Sequence, residues 1–489
     1  MRSSRAREVD PVRGYVRPPG RHFGSWGAAL FAAAACLTSC EIQTTTSLPV
    51  ADPAATPPVG PVRMPAEWEP VTGVIQRWKW LECDDLHRWI TEQTLAAGAT
   101  PYLFVPDQVH QKSISAYLVS AGIEANKVRF IIGPSDSIWA RDFAPASIYF
   151  ENAAQLGLVD TKYSYPNQPL DDQAPVPIAA ALGLPLFRAD RESNLFTLDW
   201  GDFMTDGFGN AFSSFRVMNE NDERAQDVIR IVNQYLGIED YLLMEKLMTF
   251  LDKHIDMYMK LLDEETVLVG EYREGVPNRE GVERNVQRWR GLKTKYGTPY
   301  RIFRVPMPGD TMERDFRTYT NALIVNDRVL VPVYNIAEDE TALAVFREAM
   351  PGYTIVSYDC SQVVTQNGAI HCMTREIARP QMVLVGHARY QAPVHVGEDI
   401  TFRVQIWSPA PVDTASVMVQ LPGATAYEEI PLKERYGLYL ARVTAMEEGE
   451  MRYFIKAEAG GITGYKPQNA YSGGYLPALI IDPKKAAQH

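Results

Sequence analysis

The sequence predicts an α/β domain followed by a smaller all-β domain, in a chain of 489 residues. From residue 84 to about residue 380, segments of helical periodicity alternate with short β-branched runs, which is typical of α/β architecture. After about residue 391 the helical periodicity ends, and short alternating strands follow one another. The length also suits one large domain and a smaller module.

The predicted elements follow one another along the chain. Helices are predicted at residues 84–97, 108–121, 224–235 and 281–295, and strands at 101–105, 127–132, 266–269 and 329–333. Strands at 400–406, 416–421 and 452–457 predict a C-terminal immunoglobulin-like β-sandwich. No glycine-rich phosphate loop of either common type occurs, which disfavours nucleotide binding.

The composition is that of a globular protein, with 46% hydrophobic and 22% charged residues. The formal net charge is −12, and it becomes more negative without the first 39 residues, which carry six arginines and two acidic residues. An acidic protein is a poor partner for nucleic acid, whereas cationic ligands suit its field.

The first 39 residues are predicted to be a signal peptide. Basic residues up to Arg21 precede an apolar run at 26–37, and about a dozen apolar residues cannot cross a bilayer core that needs about twenty. The run ends in LTSC at 37–40, which resembles a bacterial lipobox and predicts lipid attachment to Cys40. Ordinary secretion cleavage or a buried helix are the alternatives.

Residues 40–63 are rich in Thr, Pro and Ala and lack apolar periodicity. They are predicted to form a flexible tether between the lipid anchor and the folded part. The expected location is that of an exported bacterial lipoprotein, anchored to a membrane in the periplasm or at the cell surface, or secreted.

Three of the five cysteines, Cys83, Cys360 and Cys372, lie in the predicted globular part. Their spacing matches no metal-ligand or disulfide pattern, so free thiols and no metal site are predicted. A lone cysteine is most often a small buried hydrophobe, and Cys360 keeps that interpretation. Cys372 lies in NGAIHCMT at 367–374, where an Asn-Gly turn leads into a short apolar step expected to be extended. It is the candidate nucleophile.

The adjacent His371 is not the expected proton-transfer partner of Cys372, because neighbouring side chains on an extended segment point to opposite faces. His254 is the better candidate. On a strand, His254 and Asp256 would face the same side, and residues 263–266 are predicted to form the turn of a following hairpin. A histidine and a carboxylate together suit proton transfer and cation binding, although surface pairs of this kind are common.

A third stretch, residues 136–142, combines Trp139 with Asp142. An indole and a carboxylate at this spacing can form an apolar wall and an anionic anchor for a flat cation. The alternative is a strand end that contains a satisfied Asp–Arg pair.

These stretches together resemble the guanidine-modifying superfamily, which has the pentein fold, and its branch of agmatine deiminases and bacterial peptidyl-arginine deiminases. The resemblance covers about residues 64–380. Its segments, in family order, are MPAEWEP at 64–70, WARD at 139–142, FMTDG at 203–207, HID at 254–256, YTNALIVN at 319–326 and HCMT at 371–374. It implies a five-bladed α/β propeller at 64–384 with the site at its centre, and the immunoglobulin-like β-sandwich would then occupy 388–485.

The resemblance also implies the residue roles and the reaction. Its catalytic residues are Cys372, His254, Asp142 and Asp256, and Trp139 and Asn321 line the substrate site. Cys372 would attack the guanidinium carbon, the two aspartates would hold the guanidinium, and His254 would be the general acid and base. A guanidinium carbon is deactivated by resonance, which suits a thiolate nucleophile. The expected products are a ureido compound and ammonia, without metal or organic cofactor.

Two departures from the family leave the substrate open. Where relatives commonly carry Gly-Gly-Asn, this chain has DWGD at 199–202, so Asp199 and Asp202 are expected to add negative charge to the substrate pocket. The arginine pair that holds a terminal carboxylate is missing from the matching stretch, YSYPN at 163–167. This disfavours a C-terminal arginine and leaves a small guanidine such as agmatine, or an internal arginine of a peptide or protein.

The expected function is therefore that of a lipid-anchored hydrolase acting on the carbon–nitrogen bonds of a linear amidine. One alternative is an amidinotransferase, which would use the same fold and thiol but pass the amidine to an amine. The other is a non-catalytic surface protein that binds guanidines.

Overall fold

The computed structural model describes residues 56–248, 254–309 and 317–483. The predicted signal peptide and Cys40 lie outside these ranges, so export and lipid attachment stay predictions. Within the described residues, no helix is long and apolar enough to cross a bilayer.

Five small sheets repeat one pattern within the α/β region. In each sheet one strand pairs antiparallel with its neighbour on one side and parallel with its neighbour on the other side. A parallel partner requires a crossover connection. The crossover helices are Asp84–Ala96, Pro175–Leu182, Ala225–Leu236, Arg279–Gly291 and Glu338–Ala349. The predicted α/β architecture is confirmed.

The strands of each sheet lie side by side in the following order. The first sheet is Thr374–Ala378, Val71–Arg77, Thr100–Val105 and Arg129–Ile132, and the second is Ala146–Phe150, Gln155–Thr161 and Leu186–Ala189. The third is Met204–Thr205, Asn210–Ser214 and Asp240–Met244, and the fourth is Met259–Asp263, Thr266–Tyr272 and Arg301–Met307. The fifth is Leu323–Val325, Arg328–Val333 and Thr354–Asp359.

The remaining helical elements are shorter, apart from Gln108–Ser120. The other α-helices are Ala140–Phe143 and Arg216–Glu220. The 3-10 turns are Ala125–Lys127, Asp171–Gln173, Glu192–Asn194, Trp200–Asp202, Ile255–Met257, Val363–Gln366 and Gln468–Ser472.

The first sheet joins the two ends of the α/β region. Val71–Arg77 pairs antiparallel with Thr374–Ala378, which brings the predicted nucleophile loop beside the first elements of the domain. The α/β region was predicted to start at residue 64, and the backbone of Arg63 already pairs with that of Tyr149. The Arg63 side chain also forms an ion pair with Glu69.

Four predicted helices are present within a few residues of the expected bounds, and two of them have clear end signals. Gln108–Ser120 begins after Asp107, whose carboxylate accepts hydrogen bonds from the amides of Val109 and His110. Ala225–Leu236 ends at Gly237, where a φ of 70° requires the left-handed conformation that glycine adopts without strain.

Two local predictions are wrong. Residues 370–373 are not extended but form a turn, in which the amide of Thr374 donates to the carbonyl of His371 at 3.0 Å. Residues 254–256 lead into a 3-10 turn, Ile255–Met257, and the predicted hairpin follows it. In both places a backbone amide bonds to a distant side chain instead of a neighbouring strand.

Two further sheets form the C-terminal region. One is Leu384–Gly386, Asp399–Trp407, Leu438–Thr444 and Lys433–Arg435. The other is Val394–His395, Leu476–Ile481, Gly449–Ala459, Val412–Gln420 and Glu428–Pro431, and Ile462–Lys466 also pairs with Gly449–Ala459. Both sheets contribute to a single apolar core that includes Phe402, Val417 and Tyr453. This arrangement is compatible with a β-sandwich, and the immunoglobulin-like topology stays a prediction, as does its start at residue 388.

Candidate active site

Five short segments meet at one place, and each lies just before the outer antiparallel strand of a different sheet. They contain Cys372 before Thr374–Ala378, Asp142 before Ala146–Phe150, Asp199 to Asp202 before Met204–Thr205, His254 to Asp256 before Met259–Asp263, and Asn321 before Leu323–Val325. The repeated sheet pattern therefore explains how residues so distant in sequence reach one site.

Hydrogen bonds connect these five segments in a closed cycle. The links are Arg141 N to the Cys372 carbonyl (2.9 Å), Gly201 N to Asp142 Oδ1 (3.1 Å), Ile255 N to Asp202 Oδ1 (3.0 Å), Thr320 Oγ1 to the Asp256 carbonyl (2.9 Å) and His371 N to the Asn321 carbonyl (3.1 Å). Each segment is thus fixed by its two neighbours and not by a regular sheet.

Gly201 marks the point on which three predicted residues converge. A Cβ atom added to Gly201 would lie 2.6 Å from Asp142 Oδ1, 2.7 Å from His254 Nδ1 and 3.3 Å from Asp256 Oδ2. Glycine is therefore required here by space, since its φ is not in the left-handed region. The two carboxylates and the imidazole border one small volume beside the bare backbone.

The Cys372 thiol lies next to the same volume. It is 4% exposed and donates to Asp256 Oδ2 at 3.6 Å, and the Asn321 amide donates to Sγ at 3.1 Å. Asn321 Oδ1 also accepts from the amides of Ala369 and Cys372 at 3.1 and 3.2 Å, so Asn321 holds the whole turn. Burial, Asp256 and Asp142 raise the pKa of Cys372 well above its usual range. The thiol therefore stays protonated until a cation offsets these carboxylates.

His254 is buried between two aspartates. Its Nδ1 lies 3.5 Å from Asp142 Oδ1, and its Nε2 lies 3.4 Å from Asp199 Oδ2. Burial lowers the pKa of His254, but the two carboxylates outweigh burial and raise it to about 10. Among the described contacts, the imidazole is not hydrogen-bonded to Cys372; both groups instead border the space near Gly201.

The structure also places Trp139 beside the nucleophile. A Cβ atom added to Gly368 would lie 2.5 Å from Trp139 Cζ3 and 3.0 Å from Cys372 Cβ. The half-buried indole and the cysteine therefore face the same glycine. The role of Trp139 as a wall of the guanidinium site stays a prediction.

The expectation that Asp199 and Asp202 face the substrate pocket is not met, because protein donors occupy their oxygens. Asp202 accepts from Ser214 N (2.9 Å), Ser214 Oγ (2.8 Å) and Ile255 N (3.0 Å). Asp199 accepts from Ser164 N at 2.9 Å and from the Ser164 hydroxyl. Burial raises the pKa of Asp202 to about 6. Both aspartates support the loops that carry the site and are not free to hold a ligand.

Sequence reasoning missed Arg216, the first residue of the short helix Arg216–Glu220. This helix follows Asn210–Ser214, the middle strand of the third sheet. The Arg216 Nη1 contacts His254 Nε2, its Nη2 lies 2.7 Å from Asp199 Oδ2, and the same nitrogen donates to Ser164 Oγ at 2.8 Å. Its Nε pairs with Glu220 at 2.8 Å. The Arg216 guanidinium therefore contacts the stretch at 163–167, where the family's arginine pair is missing. Its charge, however, is neutralised by Asp199 and Glu220. Nothing in the sequence pattern around Arg216 pointed to this place.

His371 was set aside as the proton-transfer partner of Cys372 on the expectation of an extended segment, whereas residues 370–373 form a turn, and the partners of its ring were missed. Its Nδ1 lies 2.7 Å from Asp256 Oδ2, and its Nε2 lies 2.8 Å from Glu67 Oε1. The imidazole thus connects the MPAEWEP segment to the carboxylate beside Cys372. This bridge orients Asp256, and the resemblance at 64–70 was the signal that could have identified Glu67.

Glu67, His371 and Glu376 lie close enough together to be considered as metal ligands. Arg141 donates to both oxygens of Glu376 at 2.7 and 2.8 Å, and Lys260 donates to Glu67 at 2.6 Å. Because these cations already offset the carboxylates, we assign no metal to the cluster.

A family model described as Porphyromonas-type peptidyl-arginine deiminase matches residues 63–378, well over half of the chain. The chain belongs to this family. All five site segments lie within the match, whereas all strands of the two C-terminal sheets lie beyond it. As a member of the Porphyromonas-type peptidyl-arginine deiminase family, the protein is a hydrolase of the agmatine and peptidyl-arginine deiminase type that acts on carbon–nitrogen bonds.

Individual relatives agree with this assignment. A putative agmatine deiminase of Legionella pneumophila (strain Paris) is 25% identical over 339 residues, which cover 64% of this chain and 94% of that protein. The solved putative arginine deiminase from Porphyromonas gingivalis matches with a TM-score of 0.55 and 22% identity, covering 65% of this chain and 98% of that one. The agmatine deiminase of Enterococcus faecalis matches with a TM-score of 0.55 and 19% identity, covering 65% and 96%. These structural likenesses support the pentein-type α/β fold.

We expect Gly201→Ala to lower kcat/KM by about 100-fold, the loss that a misplacement of about 1 Å in an active site can cause. The added methyl would lie within 2.7 Å of both Asp142 Oδ1 and His254 Nδ1, so at least one of them must move. The rate of ureido product formation measures the loss of activity, and the melting temperature shows whether the fold is kept.

Gly291→Ala is the matched control, because no heavy atom lies within 4 Å of a Cβ added at this helix end. It should keep the wild-type rate. A fully active Gly201→Ala enzyme would show that Asp142 and His254 do not border the reacting space.

Proposed function

We propose that the protein hydrolyses the guanidinium group of a small guanidine such as agmatine, or of an internal arginine, to a ureido group and ammonia through a covalent Cys372 adduct. One observation carries the proposal. Asp142, His254 and Asp256 surround one point beside Gly201, and the Cys372 thiol is bonded to Asp256. Two anions, a proton carrier and a nucleophile around a single space match the requirements of a planar cationic substrate.

Substrate binding is coupled to activation of the thiol. A carboxylate about 4 Å from a guanidinium contributes about 4 kcal/mol at an effective dielectric near 20, before desolvation is subtracted. Asp142 and Asp256 also raise the pKa of Cys372. A cation bound between them offsets their charge, so the thiol releases its proton to solvent when the substrate is present.

The first half-reaction exchanges one carbon–nitrogen bond for a carbon–sulfur bond. The Cys372 thiolate attacks the guanidinium carbon and forms a tetrahedral adduct. His254, protonated at neutral pH because its pKa is raised to about 10, gives its proton to the departing nitrogen. Ammonia leaves, and a cationic thiouronium adduct remains on Cys372.

The second half-reaction restores the enzyme. Neutral His254 takes a proton from water, and the resulting hydroxide attacks the thiouronium carbon. The carbon–sulfur bond breaks, the hydroxyl proton of the adduct passes to the departing sulfur, the product leaves with a ureido oxygen, and Cys372 returns as the thiol. One imidazole therefore has to be an acid in the first step and a base in the second.

The contacts of Arg216 favour substrates without a carboxylate near the guanidine chain. This guanidinium is neutralised by Asp199 and Glu220, so it is not available to a substrate carboxylate. Agmatine lacks such a group, and an internal arginine has it tied up in a peptide bond. Free arginine and C-terminal arginine both present it.

The deciding experiment measures ureido product and ammonia with agmatine, free arginine, a peptide with an internal arginine and one with a C-terminal arginine. We expect agmatine or the internal arginine to be turned over with a kcat/KM at least about tenfold above the carboxylate-bearing substrates, the difference that one unfavourable ionic contact makes. A preference for the carboxylate-bearing substrates would contradict the proposed specificity.

Two other outcomes would replace the proposed reaction. Ornithine formed from arginine plus glycine would indicate amidinotransfer. Saturable binding of all four compounds with no product and no ammonia would indicate a binding protein.

We also infer that the five sheets are the five blades of a propeller. Three observations support this inference: the repeated strand order, the pairing of the first and last strands in one sheet, and the closed cycle of hydrogen bonds among the site segments.

A further inference from the structure

The permanently charged side chain of Arg216 contacts His254, the imidazole to which we assign both proton transfers. Its Nη1 contacts His254 Nε2, and its Nη2 lies 2.7 Å from Asp199 Oδ2. Asp199 Oδ2 in turn lies 3.4 Å from the same His254 nitrogen. The cation and the carboxylate therefore compete for one ring nitrogen.

We propose that Arg216 is a positioning residue for His254, one that fixes the ring and weakens its hold on the proton so that the ring can serve both half-reactions. This inference rests on the proposed function, because it concerns the same imidazole. It adds a residue that neither the family's motifs nor the sequence pattern identified.

Carboxylates dominate the surroundings of His254. Asp142 faces Nδ1, and Asp199 faces Nε2. Asp202 and Glu220 also lie near enough for their charges to interact with the ring. Four acids would hold the proton so tightly that a neutral ring, which the hydrolytic step requires, would be scarce near neutral pH. Among the described contacts of the ring, Arg216 is the cation that opposes them.

The chemistry of the contact gives the direction of the effect. A guanidinium can only donate hydrogen bonds, so a ring nitrogen that contacts it has to accept with its lone pair. That arrangement favours the neutral ring. Arg216 also pairs with Asp199 and with Glu220, which reduces the field of both acids at His254. In agreement, Arg216 lowers the pKa of His254 while Asp142 and Asp199 raise it.

The Arg216 side chain is itself held in place. Ser164 Oγ accepts from Nη2 at 2.8 Å, Glu220 pairs with Nε at 2.8 Å, and the guanidinium lies over the Tyr165 ring at 5.7 Å. Only 12% of the Arg216 side chain is exposed. An anchored cation of this kind can fix the orientation of the ring as well as its charge.

The test compares Arg216→Gln, Arg216→Lys and the control Arg288→Gln. Arg288 packs on Phe215, next to Arg216 in the chain, but pairs with the Leu243 carbonyl and is not placed in the site. The titration of His254 is followed by NMR of the imidazole nitrogens in a Cys372→Ser background, assigned with a His254→Asn variant. The pH dependence of kcat is measured with Cys372 present.

In Arg216→Gln we expect the His254 midpoint to rise by about one pH unit, the shift caused by losing one charge within about 4–6 Å. The neutral fraction of the ring, and with it kcat near pH 7, should then fall about tenfold and recover as the pH rises. Arg216→Lys keeps the charge and should restore most of the midpoint and the rate. Arg288→Gln should leave both unchanged.

Glu220→Gln supplies a result of opposite sign and does not depend on the folding of the Arg216 variants. It removes a carboxylate from Arg216 and from the surroundings of His254, so the midpoint should fall. An unchanged or lower midpoint in Arg216→Gln would overturn the inference. So would a rise in KM confined to carboxylate-bearing substrates, because Arg216 would then be a substrate clamp. If the wild-type enzyme turns over none of the four guanidines, the proposed function fails, and the NMR midpoints still decide the effect of Arg216.

Discussion

Replacing Cys372 by serine should lower turnover of guanidine substrates by at least about 10³-fold, the scale of loss on removing a catalytic nucleophile. A serine hydroxyl would not ionise beside Asp256 and Asp142, because these carboxylates raise even the pKa of the more acidic Cys372 thiol well above its usual range. A guanidinium carbon is too weak an electrophile for a neutral alcohol. The measurement is single-turnover ureido formation with the best substrate of the panel.

The same experiment can show the covalent step. Wild-type enzyme quenched in acid during turnover should carry the mass of the thiouronium adduct on the peptide that contains Cys372. Cys372→Ser should still bind the substrate, because both aspartates remain, but it should carry no adduct. Its melting temperature should change little, since a serine hydroxyl can hydrogen-bond to Asp256 and Asn321 as the thiol does.

Cys360→Ser is the control for a purely structural thiol. Cys360 is 1% exposed, and burial raises the pKa of its thiol well above the usual range. We expect this variant to keep its kcat and to lose stability, because it buries a hydroxyl in place of a thiol. A large loss of stability in Cys372→Ser, with proportionate loss of activity, would instead make Cys372 the structural thiol.

The parts of the fold that were predictable are those that local sequence determines. The helices at 84–97 and 224–235 repeat apolar residues at helical spacing, and the second of them ends at a glycine, Gly237. The strand at 329–333 is a continuous apolar run between a helix and a turn. In these cases the residue pattern within one segment is enough to predict its helix or strand.

The segments that carry the site were predicted by motif, but their conformation was not. His254 to Asp256 was expected on a strand, yet the Ile255 amide bonds to Asp202, which lies far away in sequence. Cys372 was expected on an extended segment, yet its amide bonds to Asn321. A side chain brought in from another sheet overrides the local pattern, and no window of sequence contains such a partner.

Charge alone also gave the wrong role for Asp199 and Asp202. A carboxylate near a cation site suggests a ligand for the cation, but its real partner depends on what the topology places beside it. In this fold Ser214 and the Ile255 amide occupy Asp202, and Ser164 and Arg216 occupy Asp199. The Asp199 partners come from outside the DWGD stretch, so the sequence could indicate the charge and not its use.

Asp142→Asn should weaken guanidinium binding by up to about 10³-fold, which corresponds to about 4 kcal/mol for one carboxylate contact at an effective dielectric near 20. The fold should survive, because an asparagine oxygen can still accept the Gly201 amide that Asp142 Oδ1 accepts at 3.1 Å. The affinity of Cys372→Ser for agmatine, with and without Asp142→Asn, measures the loss directly by calorimetry.

Alkylation of Cys372 gives an independent signature with opposite signs for two reagents. Asp142 raises the pKa of the thiol, so Asp142→Asn should increase the thiolate fraction at neutral pH and speed reaction with neutral iodoacetamide. The cationic reagent 2-chloroacetamidine uses the carboxylate for binding, so its rate should fall. Asp413→Asn is the matched control, an exposed aspartate in the C-terminal region that accepts from Gly460, and it should change neither rate. Equal changes for both reagents would mean that Asp142 alters the thiol without holding the cation, and the two-carboxylate grip would have to be abandoned.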